Sequence, residues 1–387
     1  VEAIEAFLFS QAEFRHNVIT HHCEIRWTEE AGFLPLTDRD VNTLWGRMNK
    51  TVGRVYLTDI YNVIHSEFVP LFNPFQSYFD HLPSWDGVSD PIGDLADTVH
   101  VKSDQAEFRD YFRKWFVGIL PALLDDTVVN HEILVLIGEQ GLYKTTWFNF
   151  LLPPELRCYF YTKTNSDRLN KDDLFSLTEF ALICFEELDG MRPAELNQLK
   201  AMVTMPYVNE RAAYGRNKER HPHIASFCGT GNNVQFLTDP TGNRRWLPFE
   251  VSQIRDPHLH AIPYELVYSQ AYALWKSGFC HWFSQEEIRK LNMHNSRFEV
   301  PNLEEDLIRT HFRKPFEGEA GIFVTAADIL EQISSCLRYP LSPNKIGRIM
   351  AGLEFESIRY KGKRGYIAVK KTGEDIDRER RSGALGL

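Results

Sequence analysis

The chain has 387 residues, 43% hydrophobic and 25% charged, the proportions of a globular protein too long for one small core, so two or three domains are expected. A formal net charge of −10 argues against a protein coated in nucleic acid but leaves room for a local basic track. No apolar run approaches the roughly 20 residues needed to span a bilayer, and the six scattered cysteines form no C-x-x-C pair, so the expectation is a cytoplasmic protein with reduced thiols and no membrane partner. The histidines, including His21-His22 and His221-Pro222-His223, show no metal-ligand spacing. The first ten residues lack the basic start and cleavage site of a signal peptide, and the chain opens on Val1 rather than Met, which reads as a piece with another domain upstream.

In chain order, residues 1–125 read as a mostly helical domain with one hairpin. Phe14 to Trp27 alternates around a polar turn at Thr20-His21-His22. Helix starts are expected at Thr37-Asp38, Thr58-Asp59 and Asn73-Pro74, and apolar residues at helical spacing predict a helix over Ala106–Leu124. From Glu132 to about Val251 the pattern changes to short apolar runs, ILVLI, RCYFYT (157–162), FALICF (180–185) and HIASFCG (223–229), separated by helical stretches. That alternation predicts a parallel α/β sheet, whose ligands bind beyond the carboxyl ends of the strands. Residues 257–300 read as a helical extension, giving an α/β domain over 126–300. A small winged-helix-like domain is expected over 301–371, with two helices and a basic two-stranded wing at Gly362-Lys363-Arg364, and a disordered tail over 372–387.

The chemistry sits after the strands. Gly138-Glu139-Gln140-Gly141-Leu142-Tyr143-Lys144-Thr145-Thr146 has the layout of a phosphate-binding loop between a buried strand and a helix start. Its lysine would meet the β/γ-phosphates and its Thr145 hydroxyl a Mg²⁺ ion. The pattern G-x-x-x-x-G-K-[ST] fails at Tyr143, where the last glycine belongs, and an ordinary strand–turn–helix would use similar residues. FALICF runs into Glu186-Glu187, two carboxylates costly at a buried strand end unless solvated or bound to metal. In a nucleotide site one would hold Mg²⁺ through water and the other orient the attacking water, with Asp189 close enough to contribute; an acidic helix start is the plainer alternative. Gly229-Thr230-Gly231-Asn232-Asn233 offers Asn232, or failing that Asn233, to hold that water, although a bare turn would read the same. Arg244-Arg245 before the next apolar run suits an arginine finger from a neighbouring subunit, against the alternative of a surface pair. Arg211, Arg216, Lys218 and Arg220 form a basic run around a turn, by default a solvated loop, which as a hairpin in a ring would reach a strand's phosphates in the central channel, and Lys361, Lys363 and Arg364 form the basic wing.

These blocks, GEQGLYKTTW, KDDL (171–174), EELDG (186–190), LKAMVT (199–204), RAAYGR, GTGNN and above all FLTDPTGNRRWLPFEV, together resemble the virulence-associated E protein family, whose ATPase belongs with the superfamily 3 helicases. The likeness extends from about residue 10 to 252. It implies a P-loop core of AAA+ or superfamily 3 type and a hexameric DNA-dependent ATPase of mobile elements or phages, often linked to a primase. It also implies ATP and Mg²⁺ at Lys144, Thr145, Glu186 and Glu187, a sensor at Asn232 and a finger at Arg244 with Arg245. Tyr143 departs from the general loop and puts ATP turnover in more doubt than ATP binding. The expected activity is ATP-dependent movement along, or unwinding of, DNA, with single-stranded DNA as partner and duplex DNA as a second candidate. The competing expectations are an initiator or scaffold that uses ATP only to assemble, and a defence-type NTPase without a motor.

Overall fold

The computed structural model describes residues 1–164, 171–210, 219–238, 243–300, 303–316, 318–334 and 343–381. They fall into two compact units, Val1–Glu299 and Val300–Leu387.

The first unit begins with α1 (Glu2–Gln11), β1 (Ala12–Asn17), β2 (His22–Trp27), β3 (Leu34–Pro35), α2 (Asp38–Thr51), α3 (Leu57–Ile64), β4 (Leu71–Phe72), α4 (Pro74–Asp80), α5 (Pro91–Ala96), β5 (Val99–Val101) and α6 (Gln105–Leu124). The hairpin pairs Ala12 with Trp27 through Asn17 with His22, in a small sheet of order β3-β2-β1-β4. Local chemistry sets the helix starts. Thr37 caps α2 in a capping box with Asp40, Asn73 caps α4 ahead of Pro74, and Asp104 caps α6. Phe108, Phe112, Trp115 and Phe116 recur at helical spacing along α6 and are wholly buried, so this helix is a core element of the unit.

The α/β core follows as β6 (Ile133–Ile137), α7 (Lys144–Leu151), β7 (Phe160–Lys163), α8 (Lys171–Glu179), β8 (Leu182–Phe185), α9 (Pro193–Val203), β9 (Tyr207–Glu210), β10 (Glu219–Pro222), β11 (Ser226–Gly231), β12 (Trp246–Ile254), α10 (Tyr264–Lys276) and α11 (Gln285–Asn295). The sheet runs β5-β12-β6-β11-β8-β7, parallel throughout except for β5 at its edge. β6 is buried on both faces, which explains its unbroken apolar run. Leu134 and Leu136 pack with Trp115, Trp147 and Phe249 on one face, and Ile133, Val135 and Ile137 with Phe185, Phe227 and Trp246 on the other.

The structure shifts several boundaries. Arg157–Tyr159 form a short 3₁₀ turn, and the strand expected there starts only at Phe160. β11 starts at Ser226, three residues after the expected start at His223, and continues through Gly231, two residues past the expected end at Gly229. A Cβ at Gly229 would lie 2.2 Å from Leu188 Cδ1 and one at Gly231 3.1 Å from Asp189 Oδ1, so the turn after β8 passes too close for larger residues.

The second unit holds α12 (Leu303–His311), β13 (Phe312–Arg313), β14 (Ile322–Val324), α13 (Ala326–Ser334), α14 (Pro343–Gly352), β15 (Ser357–Tyr360), β16 (Lys363–Lys370) and α15 (Gly373–Arg381). β16 pairs antiparallel with β13, β14 and β15. Where a disordered tail was expected, α15 forms because Asp375 accepts from the Thr372 amide and hydroxyl while Thr372 Oγ1 accepts from the Asp375 amide.

Asn17 ties the small sheet to the core. Its Nδ2 donates to Glu24 Oε1 and to Tyr159 Oη, each at 2.8 Å, and its Oδ1 accepts from the amides of Ile19 and Thr20. The substitution Asn17→Ala removes a hydrogen-bond partner of the buried Tyr159 hydroxyl and of the Ile19 amide, while Glu24 keeps Arg15, and should cost about 1–3 kcal/mol, read as a fall in the urea midpoint.

Candidate functional site

Three strand ends build the site. Register places Ile137 beside Gly231, and Gly229 beside Phe185, so the loops after β6, β8 and β11 open onto one side of the sheet. Between them lies a cleft of about 350 Å³ lined by Gln140–Thr146, Glu186, Glu187, Thr230, Gly231 and Asn232. Gly138 and Glu139 stand at the start of the loop, and a Cβ at Gly138 would come 2.9 Å from the Val251 carbonyl of β12.

Lys144 is buried at the first position of α7. Its Nζ donates to the carbonyls of Gly138 (2.5 Å) and Glu139 (2.7 Å) and reaches Asn232 Oδ1 at 3.4 Å. Burial lowers the pKa of this ammonium, with Asp189 acting in the opposite sense. Thr145 Oγ1 donates to Glu186 Oε1 at 2.8 Å. A hydroxyl and a carboxylate in contact are a donor set that fits Mg²⁺, a hard cation that keeps several waters and needs few protein ligands. Among the described residues no cluster of three or more His, Cys, Asp or Glu could hold a metal by itself. Glu187, exposed on the cleft, takes a left-handed backbone (φ 54°) as the chain turns out of β8.

Tyr143 has φ 61° and ψ 17°, the left-handed conformation that explains why a glycine usually precedes the lysine in such loops. For a tyrosine this costs roughly 1 kcal/mol. The side chain is 41% exposed at the cleft, so nothing buried is displaced by it.

Asp189 has a larger part than its sequence position suggested. Its carboxylate accepts from the amides of Asn232 (3.2 Å) and Asn233 (3.1 Å) and from Asn233 Nδ2 (2.8 Å), locking the turn after β11 to the turn after β8. Asn233 is thereby occupied, and Asn232 is the asparagine directed to Lys144.

Arg244 and Arg245 lie elsewhere. They precede β12, whose Trp246 pairs with Ile133, so they stand at the amino end of the sheet. At about 3.3 Å per residue, the five residues of β6 separate them from the cleft by on the order of 16 Å. Asn295 Nδ2 donates to the carbonyls of Asn243 (2.8 Å) and Trp246 (3.0 Å), and Asn243 Nδ2 donates to Glu299 Oε1 (2.8 Å), which fixes this turn. Burial lowers the Arg245 pKa, with Arg244 beside it adding to the effect, and burial pushes the nearby Glu132 carboxyl up to about 7. Sequence reading missed Asn295 because its partners are far away in the chain.

Of the expected DNA contacts, Arg211, Arg216 and Lys218 lie outside the described residues. Arg220 is exposed on β10 with its guanidinium 3.5 Å from the centre of the Tyr207 ring. Lys361, Lys363 and Arg364 are exposed at the hairpin between β15 and β16. No helix among the described residues is long and apolar enough to cross a membrane.

Asp189→Ala removes the three hydrogen bonds that hold the Asn232 turn and should cost about 1 kcal/mol, read as a fall in the urea midpoint. Tyr143→Gly should leave stability within about 1 kcal/mol, since relief of the left-handed strain is offset by unfolded-state entropy, whereas Tyr143→Ile should lower the melting temperature.

No curated protein matches the sequence. Among solved structures, the C-terminal region of NrS-1 in its apo form is 12% identical, with 95% of this chain and 98% of that one covered at a TM-score of 0.48. SCCmec type IV Cch, described as an active helicase, is also 12% identical, with 97% and 95% covered at 0.41. Likeness at these scores leaves the chemistry to be read from this chain's own residues. The virulence-associated protein E-like domain matches residues 80–300, more than half of the chain and all of the cleft, and the protein belongs to that family.

Proposed function

We propose that the protein is a ring-forming ATPase that moves along or unwinds DNA during replication of a mobile element. The observation that carries this reading is the division of the sheet. Lys144, Thr145, Glu186, Glu187 and Asn232 meet at the carboxyl ends of its strands, while Arg244 and Arg245 stand at the opposite end. One chain therefore carries two halves of a site that only a neighbouring copy would complete.

In this mechanism ATP enters the cleft and Lys144 exchanges its loop carbonyls for the β/γ-phosphates. The Gln140–Thr146 backbone cradles the phosphates at the start of α7. Thr145 and Glu186 would hold Mg²⁺, which when bound neutralises charge on the β- and γ-phosphates. Glu187 orients the attacking water and Asn232 holds it, in a turn that Asp189 keeps in place. Arg244 and Arg245 from the adjacent subunit neutralise charge on the transferring phosphoryl group, as arginine fingers supplied in trans do. Arg220, with Arg211, Arg216 and Lys218, would engage a single strand in the central channel of a hexamer, and a primase is a fitting partner for such a motor.

A second reading is favoured by the exposed cations Lys361, Lys363 and Arg364 on the hairpin of a winged-helix-like unit. There ATP only assembles an initiator on duplex DNA, and strand-displacement assays would show binding without unwinding.

Lys144→Ala should abolish ATPase activity, and so should Arg245→Ala. Mixing the two inactive proteins tests the subunit seam, because random assembly leaves about one quarter of the seams with both an intact lysine and an intact arginine. Recovered turnover is the expected result. Its absence, with mixed oligomers shown by size-exclusion, would remove the shared-site mechanism.

A further inference from the structure

The second unit carries a basic face on α14 and the β15–β16 hairpin. Ile346, Ile349 and Met350 bury one side of α14 against Ile308, Ile329, Ile333 and Phe355. The opposite side exposes Asn344, Lys345, Arg348 and Ala351, one helical turn apart. Tyr366 Oη donates to the Gly347 carbonyl at 3.0 Å and so pins α14 beside the β15–β16 hairpin. A groove of about 510 Å³ remains between them, floored by Gly347 and Ala351 with Arg348 and Arg364 among its lining. The hairpin turns through Lys361 (φ 49°) and Gly362 (φ 78°), and Lys361, Lys363 and Arg364 are exposed on it.

The segment that carries this face is basic, although Lys370 and Lys371 lie at the far end of β16. Residues 343–371 hold eight Lys or Arg against two Glu, within a protein of net charge −10. The cations are not equally free. Lys345 is paired with Glu304 at 2.5 Å, and Arg364 Nε donates to Ser357 Oγ. Arg348 and Arg359 have no hydrogen-bond or ion-pair partner among the described residues.

We infer that this unit binds duplex DNA, with α14 laid in the major groove, Asn344 and Arg348 facing base edges, and Lys361, Lys363 and Arg364 on the phosphates. A helix about 10–12 Å across with its side chains matches a major groove about 12 Å wide. Arginine and asparagine are the side chains that pair two-pronged with guanine and adenine, and both occur in the first two turns of α14, where recognition helices make their base contacts. The small Gly347 and Ala351 leave the groove open to a backbone strand. A single-strand site would instead need a row of aromatic platforms, and Tyr360 is the exposed aromatic on this hairpin. Duplex binding here rests on the DNA-bound reading above but needs no ATP hydrolysis.

The test is fluorescence anisotropy of the full chain without nucleotide, on a labelled duplex and on its separate single strand across a salt series. Lys361→Ala with Lys363→Ala and Arg364→Ala should weaken duplex binding about tenfold and flatten the log–log salt slope by about 0.9 for each phosphate no longer neutralised. Asn344→Ala with Arg348→Ala should narrow the spread of affinities across a random duplex library, with DNA-free ATPase unchanged. Unaltered duplex binding in both variants overturns the inference, as does an equal loss on the single strand. If duplex binding disappears in these variants while Lys144→Ala retains it, the inference stands whatever becomes of the motor reading.

Discussion

The parallel ladder of β11 between β6 and β8 is the constraint on which the candidate site depends. Because Gly231 pairs beside Ile137 and Gly229 beside Phe185, three loops remote in sequence emerge side by side. The ladder needs small residues where the turn after β8 crosses it, and Gly229 and Gly231 meet that need. Packing and chemistry are therefore joined at one place: the glycines that let Leu188 and Asp189 approach also let Asp189 hold the asparagine turn.

Polar groups around the cleft satisfy one another. Lys144 rests on its own loop's carbonyls and Thr145 on Glu186. A buried ammonium or carboxylate without a partner would cost several kcal/mol, so these internal bonds keep the loop in shape. They also set a condition on any ligand, which must offer better partners than two carbonyls and one carboxylate. A triphosphate with its cation meets that condition through charge.

At the far end of the sheet, the arginine turn is held by buried amides. Asn243 and Asn295 are almost fully enclosed, and their hydrogen bonds join the turn to α11 and to Glu299. These bonds fix the backbone of the turn that carries Arg244 and Arg245. Glu132 and His131 lie in the same neighbourhood, so the charge of this surface is shared among several groups.

Much of this was legible in the residues alone. ILVLI before a glycine loop, FALICF before two glutamates, and paired arginines ahead of an apolar run are local patterns, and local patterns are set by backbone propensity, burial and charge. The caps at Thr37 and Asn73 could be read the same way, and so could the cationic hairpin at 361–364, whereas α3 starts at Leu57 after Tyr56 and not at Thr58-Asp59. What the sequence could not decide was which strand ends meet, because strand order and register arise from packing between segments scores of residues apart. Tertiary structure alone put Asp189 against Asn232 and Asn233, extended β11 through its glycines, set Asn295 under the arginine turn, and sent Lys144 and Arg245 to opposite ends of one sheet.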